Sequence, residues 1–277
     1  MRIACAQLGG QDLGSAAERR RTARTVIDAI EAVDVIVLPE LWPVGFFHFE
    51  EYAAEAEPLN GATEQLAAEV AQQRSCWVHG GSYVERAGSG ALYNTSVLMR
   101  PDGKVALRYR KRHLFGFRSR ETELLTAGTG IGVAEIPVPG HPAPRHAVRK
   151  EAGDSPPGDL TAGISTCYDL RFPELYRELV DAGADLLLVT SAWPAARIAH
   201  WRLLTRARAL ENLSYLVACN AAGSDAGTSM GGHSVIVDPF GEVVAEAGDG
   251  PEVLIGEIDP ALPAKLRGEF PFLADRR

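Results

Sequence analysis

Long apolar runs are missing from this chain: none approaches the ~20 residues that a bilayer-crossing helix needs, so no membrane partner is expected. The opening MRIACAQLGG has one arginine and then a short mixed stretch. That is not the charged start and apolar core of a secretory signal. A basic excess is also missing. The 28 Lys and Arg against 36 Asp and Glu leave a net charge of −8, which argues against nucleic acid held by broad phosphate neutralisation. Cysteine is sparse: Cys5, Cys76, Cys167 and Cys219 lie far apart with no CxxC pair, so no cysteine zinc site is expected. Four scattered thiols and no export signal suit a reducing compartment, the cytoplasm. A hydrophobic share of 46% and a charged share of 23% exclude wholesale disorder.

What is present reads as alternating strands and helices. Arg2–Leu8 has the look of a strand. Ser15-x-x-Glu18 is a capping box, followed by Ala23, Val26, Ile27, Ile30 and Val33 at helical spacing. The runs DVIVL (34–38) and DLLLVT (185–190) suit strands buried on both faces. Further helices are predicted over 63–73, 173–182 and 195–212, the second opening on Pro173. Strands are predicted over 77–84 (weakened by Gly80-Gly81), 160–166, 214–218 and 253–258. Two hairpins, VLMRPDGKVA (97–106) and VIVDPFGEVV (235–244), align without gaps. With the paired apolar runs they predict two similar α/β halves. Each half would carry helices on one side of a mixed sheet. Burying the two bare sheet faces together gives an α/β, four-layer αββα sandwich.

Three residues stand out for chemistry. Cys167 sits at a strand-to-helix junction, where backbone N–H groups favour a thiolate and later an oxyanion; a buried structural thiol is the alternative. Glu40 follows a buried strand directly, beside Pro39, Leu41 and Trp42. Partial desolvation there makes a carboxylate a better base, unless it is an ordinary loop glutamate. Lysine is scarce, four residues (104, 111, 150 and 265) in a chain rich in arginine. Lys111 nevertheless stands inside Arg108-Tyr-Arg-Lys-Arg112, where a compact ammonium differs from a guanidinium; a solvated basic strand end is the plainer reading. Taken together, the three make a Cys-Glu-Lys nucleophilic site conceivable. Among the histidines, His113, His200 and His233, none is marked by spacing as a partner for the thiol.

The segments LPELW (38–42), YNTS (93–96), YRKRHLF (109–115), CYDLRFPEL (167–175), SAWPAARIAHW (191–201), RARALEN (206–212) and GGHSVIVDPFGEV (231–243) resemble, in this order, the nitrilase superfamily of carbon–nitrogen hydrolases. The resemblance spans nearly the whole chain and implies a single domain over 1–277, the αββα sandwich, no cofactor and a Glu-Lys-Cys triad of Glu40, Lys111 and Cys167. It further implies a second glutamate after the lysine, either Glu121 or its rival Glu123. The run from Trp193 to Trp201 looks most like the ω-amidase branch, whose enzymes deamidate short α-keto acid amides such as 2-oxoglutaramate. A free substrate carboxylate calls for a fixed arginine, Arg171 or Arg197. The alternative for Arg171 is a structural pair with Asp169 or Glu174, and for Arg197 a surface position at the helix start. Phe46, Tyr168 and Trp193 are expected to wall the pocket or to be core, and His113 is counted with the binding residues. Cleavage of an N-carbamoyl amine, a deaminated peptide amide or a nitrile is the alternative within the superfamily, and a non-catalytic binding protein the alternative outside it. The resemblance implies a homodimer or larger homo-oligomer meeting through the helices after the cysteine. One departure is an insertion at His141–Asp159 (HPAPRHAVRKEAGDSPPGD), which would alter substrate choice or subunit contacts.

Overall fold

In a computed structural model that describes residues 1–9, 12, 14–138 and 159–276, two six-stranded sheets lie face to face with helices on their outer sides. The first sheet holds β1 (Arg2–Gln7), β2 (Val35–Val37), β3 (Trp77–Arg86), β4 (Leu92–Met99) and β5 (Val105–Arg110) in spatial order. The second holds β6 (Gly132–Ile136) at one edge, then β7 (Leu160–Thr166), β8 (Leu186–Ser191), β9 (Tyr215–Asn220), β12 (Val235–Val237) and β13 (Val243–Glu246). Between β9 and β12 lies a two-stranded ribbon of β10 (Ser224–Asp225) and β11 (Thr228–Ser229). The last strand, β14 (Glu252–Glu257), returns to the first sheet and pairs antiparallel with β1.

The two halves repeat one topology. In each, two parallel pairings are followed by two antiparallel ones: β1-β2-β3-β4-β5 and β7-β8-β9-β12-β13. The strand that follows each half caps the first strand of the other sheet, β6 on β7 and β14 on β1. The two apolar runs and the two aligned hairpins of the sequence occupy equivalent places. Strand β6 has no counterpart among the sequence-predicted strands, because GVAEI is short and half-exposed.

Side-chain alternation builds the layers. Ile3, Cys5, Val35 and Val37 of the first sheet meet Ala162, Ile164, Leu186, Leu188 and Val217 of the second in the central core. Their neighbours Ala4, Ala6 and Ile36 turn outward beneath α1 (Ala16–Asp28) and α3 (Ala62–Arg74). Leu187, Val189 and Leu216 turn outward beneath α5 (Pro173–Asp181) and α6 (Ile198–Asn212). The remaining helices are short: α2 (Tyr52–Glu55), α4 (Glu121–Leu124) and α7 (Leu262–Glu269). Among the described residues no helix is long and apolar enough to cross a membrane.

Local signals place most of these boundaries. Ser15 Oγ accepts the Glu18 N–H at 3.4 Å, and the Glu18 carboxylate accepts the Ser15 N–H at 2.7 Å, so α1 opens where the capping box predicts. It stops at Asp28, and Ile30 and Val33 pack beyond its end. The helix predicted from 195 starts three residues later. Ala195–Arg197 forms a 3-10 turn first, and the Trp193 indole holds the Arg197 carbonyl at 2.9 Å. Residues 139–158, nearly all of the predicted insertion, lie outside the described residues.

Gly80-Gly81 does more than weaken β3. The β3–β4 register slips between His79 and Ser82, and Gly81 takes φ +67°. Its backbone faces the turn after β2 so closely that a Cβ there would sit 2.1 Å from the Pro39 carbonyl oxygen. The same bulge presents Ser82 Oγ to the Leu41 N–H at 3.0 Å and the Gly80 carbonyl to the Trp42 indole at 2.9 Å. It thus cradles Pro39–Trp42. Gly81→Ala is therefore expected to lose stability by about 1–3 kcal/mol from the left-handed backbone alone, and more from the clash. Urea unfolding measures this, and wild-type stability would show that the cradle yields freely.

Candidate active site

The parallel strands of both sheets end at one edge of the sandwich, where α/β sites gather. Lys111 follows β5, Glu40 lies just beyond β2, Cys167 follows β7, and Glu121 opens α4. Lys111 Nζ is 2.8 Å from Glu40 Oε1 and 2.9 and 3.0 Å from the two oxygens of Glu121. All three side chains are fully shielded from solvent, at 0% exposure. Glu40 Oε1 also accepts from Asn94 Nδ2 at 2.8 Å, and its Oε2 accepts the Ala192 N–H at 2.9 Å. Glu121 accepts the Phe115 N–H at 2.6 Å and Asn94 Nδ2 at 3.1 Å. The structure thereby separates the two candidate glutamates. Glu121 reaches Lys111, whereas Glu123 is exposed beside Arg120 at 3.3 Å.

The electrostatics follow from burial. Burial works against the Lys111 charge, but Glu121 and Glu40 outweigh it and hold the lysine above its ordinary pKa. Burial raises the pKa of Glu121; Lys111 opposes that shift and the charge of Glu40 adds to it. Cys167 is buried and takes φ +47°, a strained turn that carries the thiol off the end of β7. Burial, and then the Glu40 charge, push the thiol well above its ordinary pKa, with Lys111 pulling the other way. A protonated thiol beside a carboxylate needs that carboxylate as its base.

Cys167 opens onto a narrow cleft. Phe46, Phe47, Phe115, Tyr168 and Trp193 wall it, and Arg171 and Arg197 reach it. Arg171 lies over the Trp193 ring at 4.8 Å and beside His200 at 3.2 Å, away from Asp169 and Glu174. Arg197 lies over Phe115 at 5.2 Å. Among the described residues neither guanidinium has a carboxylate within ion-pair distance. The Phe46–Phe47 wall is pinned by the buried carboxylate of Asp225, which accepts both backbone N–H groups at 2.7 and 3.3 Å. Burial raises that carboxyl to about 6.

The structure does not bring His113 into the cleft lining. Its Nδ1 is 2.7 Å from Asp169 Oδ1, and its ring stacks on Phe172 at 3.8 Å. Asp169 also accepts from Tyr109 Oη and the Thr166 N–H at 2.7 and 2.9 Å. It ties the loop around Lys111 to the turn before Cys167, and His113 is part of that tie. The residues missed in the sequence are Asn94, Phe47, Phe115 and Asp225. Only Asn94 carried a signal, as the first of three polar residues inside a buried strand.

Comparison with known proteins gives the same picture. The carbon–nitrogen hydrolase family model matches residues 2–267. A 2-oxoglutaramate amidase of Paenarthrobacter nicotinovorans is 36% identical over 94% of this chain and 84% of its own length. Omega-amidase NIT2-A of Xenopus laevis is 34% identical over 90% and 85%. Among solved structures, a CN-hydrolase superfamily protein of Xanthomonas campestris, with an arsenic adduct in its active site, superposes with a TM-score of 0.84 at 27% identity. That match covers all of this chain and 97% of the other. With a matching model over almost its full length and relatives above 30% identity, the chain belongs to the carbon–nitrogen hydrolases of the nitrilase superfamily.

Proposed function

We propose that this protein hydrolyses the terminal amide of a small carboxylated substrate, with 2-oxoglutaramate as the model, through a thioester on Cys167. The observation that carries the reading is the arrangement of the cleft. A thiol with its base stands at the floor, and two arginines that have no carboxylate partner among the described residues reach the same small space. Enzymes named for this activity among the relatives support it.

The proposed steps follow from the hydrogen bonds. Glu40 takes the thiol proton as Cys167 Sγ attacks the amide carbon, and the carbonyl π electrons move onto oxygen. Lys111 and the backbone N–H of Tyr168 meet that oxyanion, each donor being worth about 3–4 kcal/mol in the barrier. Glu40 passes its proton to the nitrogen, the C–N bond breaks, and ammonia leaves a thioester. Water then attacks the thioester carbon while Glu40 takes its proton. The C–S bond breaks, and the acid and the thiol are regenerated. Glu121 holds Lys111 in place throughout. The four free cysteines suit a reducing cytoplasm. The same reading includes a homodimer across α5 and α6. Leu203 and Leu210 of α6 are 69% and 48% exposed.

Ammonia release from 2-oxoglutaramate should vanish in Cys167→Ala, and mass spectrometry should find an acyl adduct on Cys167 during wild-type turnover. Carbon dioxide appearing with ammonia from an N-carbamoyl substrate alone would shift the assignment to the carbamoyl branch. Arg171→Met or Arg197→Met should raise KM for the carboxylated amide about 10- to 100-fold, the loss of a charged hydrogen bond, and leave a neutral amide unaffected. Equal behaviour of both amides would remove the carboxylate from the reading. Finally, Leu203→Glu should lower the sedimentation mass to that of a monomer; an unchanged mass would place the interface elsewhere.

A further inference from the structure

Asn94 lies in β4 within a buried polar run, Asn94-Thr95-Ser96. Its two neighbours bond outside the ion cluster: Thr95 donates to Glu85 at 2.6 Å, and Ser96 pairs with Thr166 at 3.0 Å. Asn94 alone turns its side chain into the cluster. Its Nδ2 donates to Glu40 Oε1 and to Glu121 Oε1, while its main-chain carbonyl accepts the Lys111 N–H at 2.9 Å. Its own Oδ1 is buried and has no hydrogen-bond partner among the described residues. Inverting the amide would set that oxygen against two carboxylate oxygens, so the cluster itself fixes the orientation.

The lone pairs of Glu40 give this a chemical consequence. A carboxylate oxygen offers about two acceptor positions. At Oε1 both are taken, by Lys111 Nζ and Asn94 Nδ2; at Oε2, among the described residues, one is taken, by the Ala192 N–H. Of the two oxygens, only Oε2 keeps a position for a proton from sulfur or water. Two carboxylates share one ammonium, and Asn94 is the neutral side chain that donates to both anions. The other titratable groups facing the pair are the Cys167 thiol and Tyr52, whose raised pKa comes from burial and from the charges of Glu121 and Glu40.

We propose that Asn94 is a positioning residue of the hydrolase, filling Glu40 Oε1 and bracing Glu121 so that proton transfer is confined to Glu40 Oε2. This rests on the reading of Glu40 and Cys167 as base and nucleophile. Donors to a carboxylate favour its ionised form. Removing them makes ionisation of the cluster harder and moves the acid limb of any Glu40-dependent rate to higher pH.

The test compares wild type with Asn94→Ala and Asn94→Ser over a pH series. Two rates are read: iodoacetamide alkylation of Cys167, followed by peptide mass spectrometry, and kcat/KM for ammonia release from 2-oxoglutaramate. Asn94→Ala is expected to lose about 100-fold in kcat/KM, with kcat rather than KM carrying the loss, and to shift the acid limb of both profiles up by about one pH unit. Asn94→Ser, which keeps one donor, should shift the same way by less, and it carries the test if Asn94→Ala does not fold. An acid limb left at its wild-type position in the folded variants, whatever the loss of rate, overturns the proposal. Cys167→Ala and Glu40→Gln run beside them. Turnover surviving in either sinks the thioester reading and this inference with it. Inactivity of both beside unshifted Asn94 variants sinks the role of Asn94 alone.

Discussion

One ammonium held between two carboxylates, out of reach of water, is the constraint on which the rest of this molecule depends. Desolvating three charges costs several kcal/mol per ion, and mutual attraction offsets that only at near-contact distances. The 2.8–3.0 Å spacings around Lys111 Nζ meet that requirement only if three separate chain segments are fixed to fractions of an ångström. Such a cluster is poor evidence of stability, because apolar residues of similar size often hold a fold as well. Its presence beneath the floor of a cleft is better understood as stored electrostatic order. A charge already in place need not reorganise when an oxyanion forms beside it.

The same order explains a thiol that rests protonated. A cysteine activated by permanent ionisation would need surroundings that lower its pKa, and here burial and a neighbouring carboxylate raise it. In the proposed mechanism nucleophile and base therefore act together, with the proton crossing to Glu40 as the sulfur bonds to carbon. That coupling suits a substrate whose leaving group must itself be protonated, because the proton taken from sulfur is the one that the departing nitrogen requires. The pinned aromatic wall then has a plain task. By keeping bulk solvent from the cluster it lets both transfers of the acylation step run between fixed partners.

Much of this was legible in the sequence, and the physical reasons are uneven. Glu40 and Cys167 stand directly after buried apolar strands, and strand ends locate α/β sites without any knowledge of side-chain geometry. Lys111 was legible by contrast, as a lysine where arginine is plentiful. The paired hairpins gave the two-half architecture because strand-turn-strand patterning is local. What could not be read was every contact made across the sandwich. Asp225 reaches Phe46 from 179 residues away, and no spacing encodes such a meeting. His113 misled for the same reason: its position beside the lysine segment says nothing about Asp169 and Phe172 claiming its ring. Strand β6 escaped because five residues with one charge and partial exposure do not alternate clearly. Gly80-Gly81 was seen only as a weak point in a strand, since the Pro39 carbonyl that demands it belongs to another segment.

Duplication accounts for why these meetings can occur at all. Two halves packed with their bare sheets together bring the carboxyl ends of both parallel sets to one edge. A base from the first half can then face a nucleophile from the second. Neither half is closed without the other, since β6 covers the first strand of the second sheet and β14 covers the first strand of the first. The exchange stitches the sheets at opposite edges and resists sliding of one on the other. Any such slide would open the distances around Lys111, which no flexible side chain at the cluster could restore. A site drawn from two sheets has to be locked at their edges, and in this chain each edge lock is a strand that follows the opposite half.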